Sequence, residues 1–317
     1  MKRNGRMPPV KRIDILGLGA VAVDDLLFVE AYPPPDAKAL VLRQERHCGG
    51  LAATALVAAA RLGARCAYAG VLGHDELSAF ALACMEREGI DVSATERKPS
   101  AGPGHSHIVV DQRRGTRNIF SYERRVVGAS RRTPAALIAS CRVLLVDHLG
   151  VPGMIRAARL ARRAGIPVVA DIESDRHPQI HQLLALADHL IVSQSFAGKL
   201  TGAKSPERAV RKLARPDRQI SVVTCGDQGC WYLALGESLP KHQPAFKVEA
   251  ADTTGCGDVF HGAYAFALAK GMALEARIRI AAATAALKAT QAGGQAGIPS
   301  LAAVRKLLKH ESNHQTC

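Results

Sequence analysis

Between Arg65 and Thr224, short apolar runs alternate with segments of helical periodicity, and this alternation restricts the chain more than any other feature. Strands are predicted at 65–71, 143–146, 167–171, 189–192 and 219–224, with helices at 75–87, 153–163 and 178–186 among them. Repeated strand–helix units bury both faces of a parallel sheet, so the pattern predicts an α/β fold with a doubly wound, mainly parallel sheet. A chain of 317 residues, 48% of them hydrophobic, can enclose the core that such a sheet requires within one large domain. That domain is expected over 12–309, with frayed ends at 1–11 and 310–317.

Ile13 to Val23 reads as a buried strand ending on Asp24 and Asp25, before a turn at Tyr32-Pro-Pro-Pro-Asp36. Lys38 to His47, His105 to Asp111 and Arg117 to Tyr122 alternate loosely, the last two joined by a hairpin turn. Together they predict a small separate sheet near 38–47 and 105–122. Gly50 to Leu62 is nearly all Ala, Leu and Val, the composition of a helix buried on most faces. The last third predicts a strand pair around Gly229, helices at about 256–270 and 274–289, and another after Pro299.

The apolar run Leu51 to Ala60 falls far short of the ~20 residues that cross a bilayer. The basic start of the chain lacks the apolar stretch of a secretory signal. A cytoplasmic location without a membrane partner is expected. Eight cysteines lie scattered with no CxxC pair, which predicts reduced, mostly buried thiols and no zinc site. Formal charge is +14, from 42 Lys and Arg against 28 Asp and Glu, and suits nucleotides and phosphorylated metabolites. The basic doublets, such as Arg131-Arg132 and Arg162-Arg163, are dispersed and lack interleaved aromatics, so nucleic acid is not an expected partner.

The most specific string is Asp252-Thr-Thr-Gly-Cys-Gly-Asp258, immediately before an apolar helix. A glycine-rich turn into a helix N-terminus aims backbone N–H groups at one point and stabilises an anion such as a phosphoryl group in transfer. Asp258 beside it can accept the proton of an attacking hydroxyl, with the amides of Gly255, Cys256 and Gly257 balancing charge. The plain alternative is a turn whose last carboxylate only caps the helix.

The full string, with Gly49-Gly50 before a buried helix, Asp24 after the first strand and Thr224-Cys-Gly-Asp-Gln-Gly229, resembles the ribokinase-like, or PfkB, carbohydrate kinase family in content and order over roughly 13–300. The resemblance implies a ribokinase-like fold with a β-lid and an ATP-dependent sugar kinase using Mg²⁺. Asp258 would be the base, and Gly255, Cys256 and Gly257 the anion hole. Thr224, Gly226 and Gly229 would border the nucleotide, and Gly294, within Gln291–Gly297, would lie near adenine. Asp252 and Thr254 are the implied candidates for a monovalent cation, K⁺. Asp24, Gly49, Gly50 and Thr54 would meet the sugar, with Lys38 of the lid contacting an anionic group on it. A homodimer paired through the lid is also implied.

Several positions depart from the family pattern. Cys256 replaces the usual Ala, Leu51 and Thr54 replace Asn, and Ser193 and Phe196 replace the Asn and Glu of an Asn-x-x-Glu motif that organises Mg²⁺. Metal contact would then pass through water from Ser193 and Gln194. These substitutions look closest to the branch containing sulfofructose kinase, although Leu149 stands near where its sulfonate-binding Arg is expected. Rival readings are a nucleoside kinase of the same fold, for which Tyr122 is the lid's candidate base shelf, and a non-catalytic sugar- or nucleotide-binding protein.

Overall fold

The computed structural model describes residues 13–314. The predicted first strand, 13–23, is two strands belonging to two sheets: β1 (Ile13–Leu18) and β2 (Ala22–Val29). Between them the buried Asp147 carboxylate accepts the Ala20 N–H at 2.6 Å and the Leu149 N–H at 2.8 Å, which turns the chain out of the first sheet. Asp24 and Asp25 therefore lie within a strand of the lid and not at the end of a core strand. An unbroken apolar run hides this exit, because the residues that make it are small and apolar too.

The chain continues through β3 (Arg43–Gly49), α1 (Leu51–Arg61), β4 (Cys66–Tyr68), β5 (Val71–Leu72), α2 (Glu76–Arg87), β6 (Glu96–Arg97), β7 (Gly104–Asp111) and β8 (Thr116–Tyr122). Then come α3 (Ala135–Ala139), β9 (Cys141–Asp147), α4 (Val151–Arg163), β10 (Val168–Asp171), α5 (Ile180–Leu186), β11 (His189–Ser193), α6 (Gln194–Thr201) and α7 (Pro206–Leu213). The last elements are β12 (Ile220–Thr224), β13 (Cys230–Ala234), β14 (Lys241–Gln243), α8 (Cys256–Ala269), α9 (Leu274–Ala289) and α10 (Leu301–His314). The expected fray at 1–11 lies outside the described residues, as do 315–317, whereas 310–314 continue α10. Helices α6 and α7 were not expected, although Ser193 and Ser205 cap them by accepting the N–H groups of Phe196 and Arg208, and Pro206 opens the second.

Eight strands form the main sheet in the order β14-β13-β12-β11-β10-β9-β1-β4. Its pairs are parallel except those of β13 with β12 and β14, which agrees with the predicted doubly wound fold. Side chains alternate across it. Ile15, Val143 and Leu145 face a layer built from α1, α2, α8, α9 and α10, while Leu16, Leu18, Leu144 and Val146 face α4, α5, α6 and α7. A separate four-stranded sheet, β3-β2-β7-β8, forms the lid. It holds the expected 105–122 hairpin, but residues 38–42 carry no regular structure and its extra strand is β2. Among the described residues no helix is long and apolar enough to cross a membrane.

Helices α1 and α8 pack against each other with almost no side chain between them. A Cβ on Gly262 would lie 2.0 Å from the Ala55 carbonyl oxygen, so only glycine permits this approach. Gly262→Ala must push two buried helices apart, and about 1–3 kcal/mol of stability should be lost. Thermal unfolding would show this as a lowered Tm; an unchanged Tm would mean that the two helices can separate without cost.

Candidate active site

The N-terminus of α8 is set by Gly255, whose φ of 75° and whose neighbour, the Gly294 carbonyl oxygen 3.0 Å from any added Cβ, both disfavour a side chain. Cys256, Gly257 and Asp258 form the first turn, as expected of an anion-binding helix start. Of the three expected amides, that of Cys256 already donates to the Thr253 carbonyl at 3.2 Å. The Cys256 thiol turns toward the Ala285 carbonyl, 3.5 Å away, and burial raises its pKa.

Asp258 is half-buried. Burial, and then the negative charge of Asp171, Glu173 and Asp147, raise its carboxyl well above the usual range. Asp147 itself is pushed up to about 7 by burial, against the two N–H groups that it accepts. One turn along α8, the buried His261 ring faces the Gly257 carbonyl at 2.8 Å through Nδ1 and the Ile191 carbonyl at 3.0 Å through Nε2, with Asp171 3.2 Å from Nδ1. His261 thus packs against the carbonyl of Gly257 in the first turn of α8.

Thr224, Gly226, Gly229, Cys256 and Gly257 all line one cavity of about 430 Å³. Its walls are mainly apolar, with Phe246 and Phe260 among them, a lining suited to a nucleobase with phosphates directed toward the α8 turn. Gly294 does not line this cavity; it packs beneath Gly255. The Asp252 carboxylate accepts the Thr254 N–H (2.9 Å) and Oγ1–H (2.7 Å) through Oδ1 and the Gly293 N–H (2.9 Å) through Oδ2. Burial works against its ionisation, but these bonds outweigh it and hold the carboxyl far below its ordinary pKa.

Strand register sorts the lid into two faces. Asp24 lies opposite His47 and Ser106, and the same parity includes Arg117 on β8. Arg117 reaches across to Thr254 Oγ1 at 2.6 Å and Asp252 Oδ1 at 3.3 Å, so this face looks onto the α8 turn. Asp24 is half-buried with a raised pKa, chiefly from burial, and a Cβ on Gly49 would come within 3.2 Å of its Oδ2. Gly50 caps α1 with a φ of 94°. Thr54 is buried behind this turn and accepts a hydrogen bond from Gln295 at 3.2 Å. Lys38 is exposed on the loop before β3 and, among the described residues, makes no ion pair. Tyr122 falls on the opposite face from Asp24, together with Asp25 and His107, and gives no shelf for a base.

The departures at 193–196 have a structural meaning. Phe196 is part of the hydrophobic core, Ser193 Oγ accepts the Phe196 N–H at 3.2 Å as the α6 cap, and Gln194 is exposed in the first turn. Sequence reasoning missed Arg117, Asp147, Asp171, His261 and Lys288. Lys288 is fully buried and donates to the Asp252 carbonyl at 2.8 Å; its signal was a single charge within the apolar run Ile280–Ala289. One HExxH string also occurs, at 310–314 in the last turn of α10, where only His310 and Glu311 have described side chains.

Compared with known protein families, residues 14–301 match the pfkB family carbohydrate kinase. The chain belongs to this family. The pfkB-family kinase is 28% identical to a ribokinase of Haemophilus influenzae, over 92% of this chain and 97% of the relative. It is likewise 28% identical to fructokinase-1 of Oryza sativa subsp. japonica, over 93% and 97%. A crystal structure of a putative ribokinase from Agrobacterium tumefaciens superposes with a TM-score of 0.87 at 29% identity, covering 95% of this chain and 99% of the other. The structure of Arabidopsis thaliana ribokinase complexed with ribose and ATP has the same fold, with a TM-score of 0.84 at 23% identity over 94% and 99%.

In this kinase the acid limb of kcat/KM reports the base of the free enzyme. With Asp258 as the base expected from the sequence, the rate should climb with pH, with its limb above the ordinary carboxylate range. Asp171→Asn removes one of the charges that raise Asp258 and should move the limb to lower pH. A limb that stays in place would separate Asp171 from the base.

Proposed function

We propose that the protein transfers the γ-phosphoryl group of ATP to a hydroxyl of a small sugar or sugar derivative, with Asp258 as general base. One observation carries this reading: the lid face bearing Asp24 is latched by Arg117 onto the turn that opens α8, where Asp258 adjoins the end of the nucleotide-sized cavity. Asp24 and the Gly49-Gly50 turn orient the acceptor, and the closed lid excludes water that would otherwise compete for the phosphoryl group. Asp258 takes the hydroxyl proton as the oxygen attacks the γ-phosphorus and ADP leaves, while the α8 amides offset charge on the transferring group. Binding at Asp24, with the lid as cover, fits sugars better than nucleosides because Tyr122 lies on the outer face.

Mg²⁺ fits the acidic surroundings of Asp258. Glu173 is exposed and its charge reaches Asp258, so it is the residue best able to hold a hydrated Mg²⁺, with Ser193 and Gln194 at α6 as water-mediated contributors. Bound there with ATP, the ion would neutralise charge on the phosphates. The Asp252–Thr254 turn already has Arg117 and Lys288 as resident cations, which supports turnover without a K⁺ requirement. Phe196 in the core favours the non-catalytic reading, against which stands the intact turn around Asp258. A cytoplasmic location fits the free thiols.

The test is ADP release with Mg-ATP over ketoses, aldoses, sugar acids, sulfonated sugars and nucleosides, in K⁺ and in K⁺-free buffer, alongside Asp258→Asn. One acceptor should stimulate turnover in both buffers, and Asp258→Asn should lower it by about a hundredfold or more. Ligand-dependent stabilisation with no turnover on any acceptor would favour the binding protein instead. The outer lid face exposes Phe120 and Tyr122, with Leu40 and Leu42 on the adjoining loop, and supports a homodimer paired there. Light scattering should give twice the 33.6 kDa chain mass, and a monomer alone would remove the dimer.

A further inference from the structure

Helix α4 carries Arg156, Arg159 and Arg163 at i, i+3 and i+7, the spacing of one helical face. With Arg131, from the loop before α3, they ring a cavity of about 440 Å³ whose apolar floor includes Ile155 and Leu160. Among the described residues none of the four pairs with a carboxylate. Arg162 on the same helix, by contrast, lies 3.5 Å from Asp188 and 3.7 Å from Asp217. Arg156 is pinned by donating to the Thr133 carbonyl at 2.6 Å, which leaves the rest of its guanidinium fork preoriented. An adjoining cavity of about 350 Å³ shares Arg131 and adds Lys98 and Arg132.

Four guanidinium groups without a counter-charge repel one another, and an anion offering several oxygens relieves this while matching their planar donors. The volume suits a small molecule, and no aromatic side chain lines the cavity to stack a nucleobase. Helix α4 packs on the face of the main sheet opposite α8, so the cavity is separate from the transfer site.

We propose that this cavity is a second anion site that takes a small metabolite carrying two or more phosphate charges. The site is independent of the kinase reading and can be tested without turnover. Calorimetry of the full chain would use inorganic tripolyphosphate as probe, with a non-hydrolysable ATP analogue present to fill the nucleotide cavity. One binding event should remain, weakening as salt rises, and Arg159→Gln/Arg163→Gln should weaken it about tenfold or more. The charge-retaining Arg159→Lys/Arg163→Lys pair should fall between, and both variants should keep the anion-free Tm because these side chains are exposed. The site is overturned if no binding remains beside the ATP analogue, or if the Gln variant binds as tightly as the parent. Displacement of the probe by a short single-stranded DNA at lower concentration would overturn the metabolite class.

Discussion

The contact of α1 with α8 is the constraint on which the site depends. Each helix begins at a glycine with positive φ, Gly50 and Gly255, and Thr54 in the first turn of α1 packs beside Gly255. Because Gly262 lets the Ala55 backbone approach to a distance that no side chain would tolerate, the two turns are held by main-chain packing. A site built on helix starts supported in this way is more rigid than one built on loops, which suits a reaction catalysed mainly by positioning and charge.

Charge around that rigid centre is arranged in two zones. Burial, and then the charges of Asp171, Glu173 and Asp147, hold the Asp258 proton more tightly than an ordinary carboxylate would. A few residues upstream, Asp252 is the reverse case: bonded by Thr254, Gly293 and Arg117, it stays ionised. Arg117 belongs to the lid and Asp252 to the turn that leads into α8, so the ion pair that ties the lid down also braces that turn. Asp147 has a related structural part, since its carboxylate holds the exit from β1 toward the lid.

Much of this was legible in the residues. The βα alternation, the α8 turn with Asp258, the buried α1 and the hairpin at 105–122 depend on local pattern, and local pattern is written in consecutive residues. Errors arose where two long-range facts were needed. The split of 13–23 into strands of two sheets depends on Asp147, more than a hundred residues away. The part that Ser193 and Phe196 play as a helix cap and a core contact likewise depends on segments that consecutive residues do not show.

Sequence alone determined the fold class, the family resemblance and the turn that carries Asp258, because these follow from periodicity, glycine placement and one specific string. Tertiary structure alone decided which lid face looks inward, and so placed Asp24 and Arg117 over the site and Tyr122 outside it. It also decided that Lys288 and Arg117 stand beside Asp252, and that four arginines meet without an acid among them. The physical reason is common to all three. Strand register and the packing of helices on opposite sheet faces bring together side chains from distant segments, and no window of consecutive residues contains that information.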